Sequence, residues 1–196
     1  MQDFVEILQK YWGYSSFRPL QGDIIASVAS GKDTLGLMPT GGGKSLTFQV
    51  PTMAMDGICI VITPLVALMK DQVANLRQKG IKAAMIYSAM NRNEIIQTFD
   101  NCLYGNYKFL YISPERIATD LFVKRITSLK VCLIAVDESH CISQWGYDFR
   151  PSYLQIVRIR ELLPKVPILA LTATATPEVV DDIQEKLNFS AKNVFK

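Results

Sequence analysis

Three short stretches of this 196-residue sequence have residue types and spacings suited to chemistry. The first is Pro39-Thr40-Gly41-Gly42-Gly43-Lys44-Ser45, between the apolar run ending at Met38 and the helical pattern LTFQVPTMAM. Three glycines let a backbone curl and aim its N–H groups at phosphate oxygens, and a following helix start adds a favourable dipole. Lys44 is placed to reach the outer phosphates of a nucleotide, and the Ser45 hydroxyl to bind magnesium. Met38 stands where the strict G-x-x-x-x-G-K-[ST] pattern has its first glycine, so the strand, loop and helix context carries the assignment. A flexible turn is the alternative.

The second stretch, Asp137-Glu138-Ser139-His140, ends the most apolar run, VCLIAV. Behind a phosphate loop, Asp137 would hold magnesium and Glu138 would orient and deprotonate an attacking water. Capping of the next helix by the paired carboxylates is the alternative. The third stretch, CISQWGYDFRPSY over 141–153, gathers Trp145, Tyr147, Phe149 and Tyr153 where neither helical nor strand periodicity is present. It reads either as a plug at the edge of a core or as exposed rings for stacking on bases.

The elements that position these stretches are strands alternating with helices. Thr34 to Met38, Ile58 to Thr63, Lys82 to Tyr87, Phe109 to Ser113, Val131 to Asp137 and Ile168 to Thr172 read as strands, several apolar at nearly every position. That pattern suits strands covered on both faces. Between them, Pro64 to Lys79 repeats Leu65, Leu68, Met69, Val73 and Leu76 at helical spacing. The expected fold is α/β, a mostly parallel sheet with helices on both faces, in a single domain over 1–196. Thr63-Pro64, Ser113-Pro114 and Thr176-Pro177 each place a hydroxyl residue before proline at an expected helix start, where the hydroxyl would cap free N–H groups.

Totals exclude several classes. Hydrophobic residues are 49% and charged residues 20%, which fits a globular chain rather than a disordered one. The net charge of +3 permits a polyanionic partner without requiring one. The longest uncharged stretch, Gly57 to Met69, is 13 residues and holds a proline, far short of a membrane span. The start, MQDFVEILQKYWG, lacks a signal peptide's basic region and apolar run, so a cytosolic setting is expected. Four cysteines without a CxxC pair, and one histidine, make no zinc the expectation, with Cys59 and Cys132 as reduced core residues.

From Tyr14 to about Thr174 the chain resembles the first RecA-like motor domain of RecQ-family DNA helicases, in helicase superfamily two. YSSFRPLQ is similar to the adenine-recognition motif and MPTGGGKS to the superfamily's phosphate loop. ITPLVALMKDQ, YISPER, DESH and LTATAT resemble motifs Ia, Ib, II and III, and CISQWGYDFRPSY the family's aromatic-rich loop. The resemblance implies that Tyr14 and Arg18 sandwich adenine while Gln21 bonds its edge. Taken apart from the family, Phe17 is core, Pro19 opens the helix LQGDIIASVAS and Gln21 is an ordinary polar position.

It further implies that Thr63, Lys70 and Ser113 contact a DNA backbone, that Trp145, Phe149 and Arg150 sense single-stranded or junction DNA, and that Thr172 and Thr174 couple strand to nucleotide. The cofactors are ATP and magnesium, and the setting is bacterial cytosol or a nucleus. Two positions depart from the family: Ser139 replaces alanine, which is expected to do little damage, and Tyr147 replaces a titratable histidine. A second RecA-like domain would complete the ATP site with an arginine worth about 10³- to 10⁵-fold in rate. The implied function is therefore the ATP-binding half of a 3′-to-5′ DNA helicase of repair and recombination, which binds ATP but does not unwind alone. An RNA helicase motor, whose usual PTREL-type motif Ia is missing, or a nucleotide-binding scaffold are the alternatives.

Overall fold

A computed structural model describes residues 1–196, the side chain of Gln2 excepted. All six expected strands form: β1 Thr34–Leu37, β2 Ile58–Ile62, β3 Ala83–Ile86, β4 Phe109–Ile112, β5 Val131–Val136 and β6 Ile168–Thr172. A seventh, β7 Val194–Phe195, was not expected, because two residues are too few to show a period. The sheet order is β3-β4-β2-β5-β6-β1-β7 and every pairing is parallel.

Among the described residues nine α-helices flank the sheet: α1 Gln2–Trp12, α2 Gln21–Ala29, α3 Leu46–Ala54, α4 Val66–Gln78, α5 Arg92–Tyr104, α6 Pro114–Ile117, α7 Asp120–Ile126, α8 Ile156–Leu162 and α9 Pro177–Lys186. Strand side chains alternate between two cores, which explains the continuous apolar runs. Cys59 and Val61 of β2 face Ile24, Phe48 and Met69 of α2, α3 and α4. Ile58, Ile60 and Ile62 face the other way, with Phe99 of α5, Ile159 of α8 and Ile183 of α9. Gly36 of β1 allows α2 to come close, since a Cβ there would lie 2.9 Å from Ile24 Cδ1. Cys59 is buried as expected; Cys132 is only half-buried, as are the first two residues of β5 together.

The helix starts correct two expectations. Leu20 adopts φ 70° as the N-cap of α2, which leaves Pro19 outside that helix. Of the three hydroxyl-proline junctions only Thr176 caps, accepting from Val179 N–H at 3.4 Å. At Thr63 the chain runs on to Leu65 before α4 begins, and Ser113 precedes a helix of four residues without a side-chain cap bond. Both hydroxyls are buried at the carboxyl edge of the sheet and have no protein partner. No described helix is long and apolar enough to cross a membrane.

Candidate functional site

The phosphate loop follows β1, the acidic motif follows β5, and β6 lies between them, so all three meet at one carboxyl edge. In open α/β sheets that edge is where ligands bind. Gly41 and Gly43 take φ 77° and 76°, which other residues resist, and the curled loop leads directly into α3. Arg18 Nη1 donates to the Gly41 carbonyl at 2.7 Å, and Gln21 Nε2 to the Gly42 and Gly43 carbonyls at 3.3 and 3.1 Å. Because peptide planes are trans, holding the Gly42 and Gly43 carbonyls directs the Gly43 and Lys44 N–H groups the opposite way.

Gln21 is thus no ordinary polar position. It is 2% exposed, its Oε1 accepts the Arg18 N–H at 2.9 Å, and a Cβ on Gly43 would lie 2.4 Å from its Nε2. The structure places the amide against the phosphate loop, whereas Tyr14 is half exposed and Thr40 lies exposed at the loop's start.

Lys44 Nζ stands 3.8 Å from Glu138 Oε1, joining the loop to the acidic motif. Burial, and then the neighbouring Glu138, push Asp137 up to about 6, against the opposing pull of Lys44. Lys44 compensates only part of the cost of the charge on a carboxylate so placed. Its hard oxygens and the Ser45 hydroxyl are the donor types magnesium takes, so the residues present fit that ion. Ser45 Oγ meanwhile accepts from Gln72 Nε2 at 3.2 Å.

His140, not among the expected site residues, joins its parts. Its Nδ1 lies 2.8 Å from Thr172 Oγ1 and 3.3 Å from Glu138 Oε2. Thr172 Oγ1 already donates to the Thr174 carbonyl, so in the consistent pattern the imidazole Nδ1–H is the donor to Thr172. Burial holds the imidazole below its ordinary pKa, in the neutral form, although Glu138 and Asp148 act the other way. Its face stacks on Tyr147 with centroids 4.8 Å apart and planes 19° apart. The tyrosine therefore keeps a planar ring against the acidic motif while removing a charge. A lone histidine without ligand spacing carried no signal in sequence for these contacts across 32 positions.

The aromatic stretch divides. Tyr153 is fully buried and its hydroxyl donates to the Asp137 carbonyl at 2.9 Å, so it props the acidic motif from the core. Trp145 and Tyr147 are 77% and 79% exposed, and Phe149 is half-buried. Between His140, Trp145 and Tyr147 on one wall and Thr174, Ala175 and Val179 on the other lies a cavity of about 210 Å³. Arg150 pairs within the loop to Asp148 at 3.0 Å. His140, Cys141 and Asp148 bring a nitrogen, a sulfur and an oxygen within 4.8 Å of one another, a grouping without CxxC spacing. The Cys141 thiol, pushed up to about 12 by burial and Asp148, donates to that carboxylate, so the cluster is bonded to itself and to Arg150.

Thr63, Lys70 and Ser113 lie apart from these, around the ends of β2, β3 and β4. Lys70 is exposed with its ammonium 5.0 Å above the Tyr87 ring. Arg116, also unforeseen, ties the segment after β3 by donating to the carbonyls of Tyr87, Ser88 and Met90.

Ser139 does fit its site, being fully buried, but its hydroxyl has no protein partner. An unpaired buried hydroxyl costs about 1–3 kcal/mol. Ser139→Ala is therefore expected to raise the unfolding free energy in urea by about 1 kcal/mol; a loss of stability would show that the hydroxyl is bonded.

The DEAD/DEAH box helicase family matches residues 18–183. The ATP-dependent DNA helicase RecQ of Bacillus subtilis is 47% identical over 95% of this chain and 32% of its own length. The protein of the same name from Haemophilus influenzae is 44% identical over 98% of this chain and 31% of its own. This chain thus spans about a third of the curated relatives it matches. Among solved structures, the DUF1998 helicase MrfA bound to DNA superposes with a TM-score of 0.76 at 16% identity, over 100% of this chain and 29% of that one, which shows the RecA-like fold. With the family model matched over residues 18–183, the chain belongs to the DEAD/DEAH box helicase family, and the curated relatives it is similar to are RecQ helicases.

Proposed function

We propose that this chain is the ATP-binding half of a 3′-to-5′ DNA helicase motor, one RecA-like domain of a longer protein whose second such domain completes the site. The observation that carries the reading is the run of close contacts from Lys44 through Glu138 and His140 to the exposed Tyr147, which brings nucleotide chemistry beside an aromatic surface. Tyr14 and Arg18 stack on adenine, whereas Gln21, expected to bond its edge, has its amide taken up by Arg18 N–H and the Gly42 and Gly43 carbonyls and holds the phosphate loop instead. Thr40 and the backbone of Gly41, Gly42 and Gly43 wrap the phosphates with Lys44. Ser45 and Asp137 would hold magnesium, which neutralises charge on the outer phosphates. Glu138 takes the proton of the attacking water.

Nucleic acid lies across the same edge. Lys70 meets backbone phosphate as a point charge, near Thr63 and Ser113 at the ends of β2 and β4. Trp145 and Phe149, with Arg150, stack on bases, and Thr172 and Thr174 pass the resulting movement to Glu138 through His140. This reading supports a DNA partner and a role in repair or recombination, in cytosol or nucleus.

ATPase measured on the full-length protein with single-stranded DNA and with RNA tests it. DNA should stimulate turnover and RNA should not. Stimulation by RNA alone would make this an RNA helicase motor, and no turnover with either would leave a nucleotide-binding scaffold. Each stacked base contributes about 1–3 kcal/mol. Trp145→Ala should therefore weaken DNA-stimulated ATPase, with the DNA concentration for half-stimulation rising at least about fivefold, while ATP affinity holds; an unchanged response removes Trp145 from the coupling surface.

A further inference from the structure

Gln72, the last residue of the ITPLVALMKDQ stretch, lies between two sites. A groove of about 710 Å³ opens between α3 and α4, with Ser45, Gln49, Gln72 and Leu76 in its wall. There Gln49 Nε2 donates to the Tyr111 hydroxyl at 3.4 Å, the hydroxyl donates to Gln72 Oε1 at 2.8 Å, and Gln72 Nε2 donates to Ser45 Oγ at 3.2 Å. Each bond runs in the same direction, so each group polarises the next. Tyr111 and Gln49 are 1% and 6% exposed, and burial raises the phenol's pKa far enough to keep its proton in place.

The direction of this chain decides what Ser45 can do. A hydroxyl oxygen has two acceptor sites and one proton. Gln72 occupies one acceptor site from the groove side, which leaves the other for a cation and the proton for a phosphate oxygen. The amide therefore orients Ser45 rather than competing with a ligand. Gln72 itself cannot rotate without losing Tyr111.

Both supports of the amide come from elements that carry the nucleic-acid face. Gln72 follows Lys70 by two residues on α4, and Tyr111 precedes Ser113 by two residues on β4. We propose that Gln72, held by Tyr111, is a positioning residue for the Ser45 hydroxyl, and that it passes displacements of α4 and β4 to the magnesium ligand. This rests on the reading of Ser45 as that ligand. Where a partner orients a metal ligand, its loss typically lowers metal affinity about 10- to 100-fold.

The test is fluorescent-ADP binding to the full-length protein across a magnesium titration, with a metal-free arm in EDTA. In Gln72→Leu the magnesium concentration for half-maximal tightening should rise about tenfold. Tyr111→Phe, which deletes one oxygen and keeps the ring, should raise it about threefold. Neither should alter ADP affinity in EDTA, and adding single-stranded DNA should shift the midpoint of the wild type more than that of either variant. Unchanged midpoints in both variants overturn the inference. Equal weakening with and without metal overturns it too, since that is what general loosening of the groove would do. A wild type indifferent to magnesium defeats the phosphate-loop reading first, and this inference with it.

Discussion

Glu138→Gln is expected to lower DNA-stimulated ATP turnover of the full-length protein by about 10²- to 10⁴-fold, the usual contribution of a positioned general base. ATP affinity should stay within about threefold of wild type. The amide matches the carboxylate in shape, so Lys44 and His140 keep a polar neighbour, but it cannot accept the water's proton. Losing the Glu138 charge also releases Lys44, now 3.8 Å away, toward the phosphates, so binding has no reason to weaken. Glu138 sits at φ 49°, a left-handed conformation that costs a non-glycine residue about 1–2 kcal/mol and is retained where surrounding structure enforces it. Here the Glu138 N–H donates to Asp137 Oδ1 at 3.0 Å, and the bend turns the carboxylate back toward Lys44 and His140. Single-turnover hydrolysis with bound ATP reads the chemical step directly. Turnover near the wild-type rate would move the base elsewhere.

The strands were legible because burial on both faces writes an apolar residue at nearly every position, as in ICIVI of β2. The phosphate loop and acidic motif were legible because their chemistry constrains consecutive residues. What escaped depends on pairs distant in sequence. His140 meets Thr172, Gln72 meets Ser45 and Tyr111, and Gln21 meets Gly43, and none of these pairings has a local spacing. The capping expectation at Thr63 and Ser113 failed for a related reason. Local preference offered each hydroxyl a helix N-terminus, but tertiary packing sank both into the sheet edge before a full helix began.

Asp33, which no local pattern in the sequence marks, is the residue whose loss is expected to have the largest effect on stability. It stands just before β1, is 4% exposed, and gathers three parts of the fold. Its Oδ1 accepts the Ile168 N–H at 2.9 Å and the Arg160 guanidinium; its Oδ2 accepts the Ser190 N–H and hydroxyl at 2.9 and 3.1 Å. Asp33→Ala removes four bonds and leaves Arg160, itself nearly buried, without its counter-charge. Breaking a buried pair in this way costs about 3–5 kcal/mol, to be read as the shift in urea unfolding free energy at pH 7. If the uncompensated guanidinium carries most of that cost, Asp33→Ala combined with Arg160→Met should recover more than half of it; no recovery would assign the loss to the backbone bonds instead.

Acid distinguishes the carboxylate's contribution further. Burial alone would raise the Asp33 pKa, but the Ser190 and Ile168 N–H groups and Arg160 outweigh it and hold the pKa below the ordinary range. A depressed folded-state pKa gives stability that is complete above the unfolded value of about 3.9 and is lost as pH falls through the folded one. The wild type should therefore lose this contribution only below about pH 4, whereas Asp33→Ala should lack that part of the acid slope. Parallel slopes for the two proteins from pH 5 to pH 2 would show that the Asp33 charge does not stabilise the fold. Because β1 leads straight into the phosphate loop, the same variant should also lose nucleotide binding as it unfolds, at the same urea concentration, which ties the buried charge pair to the site it supports.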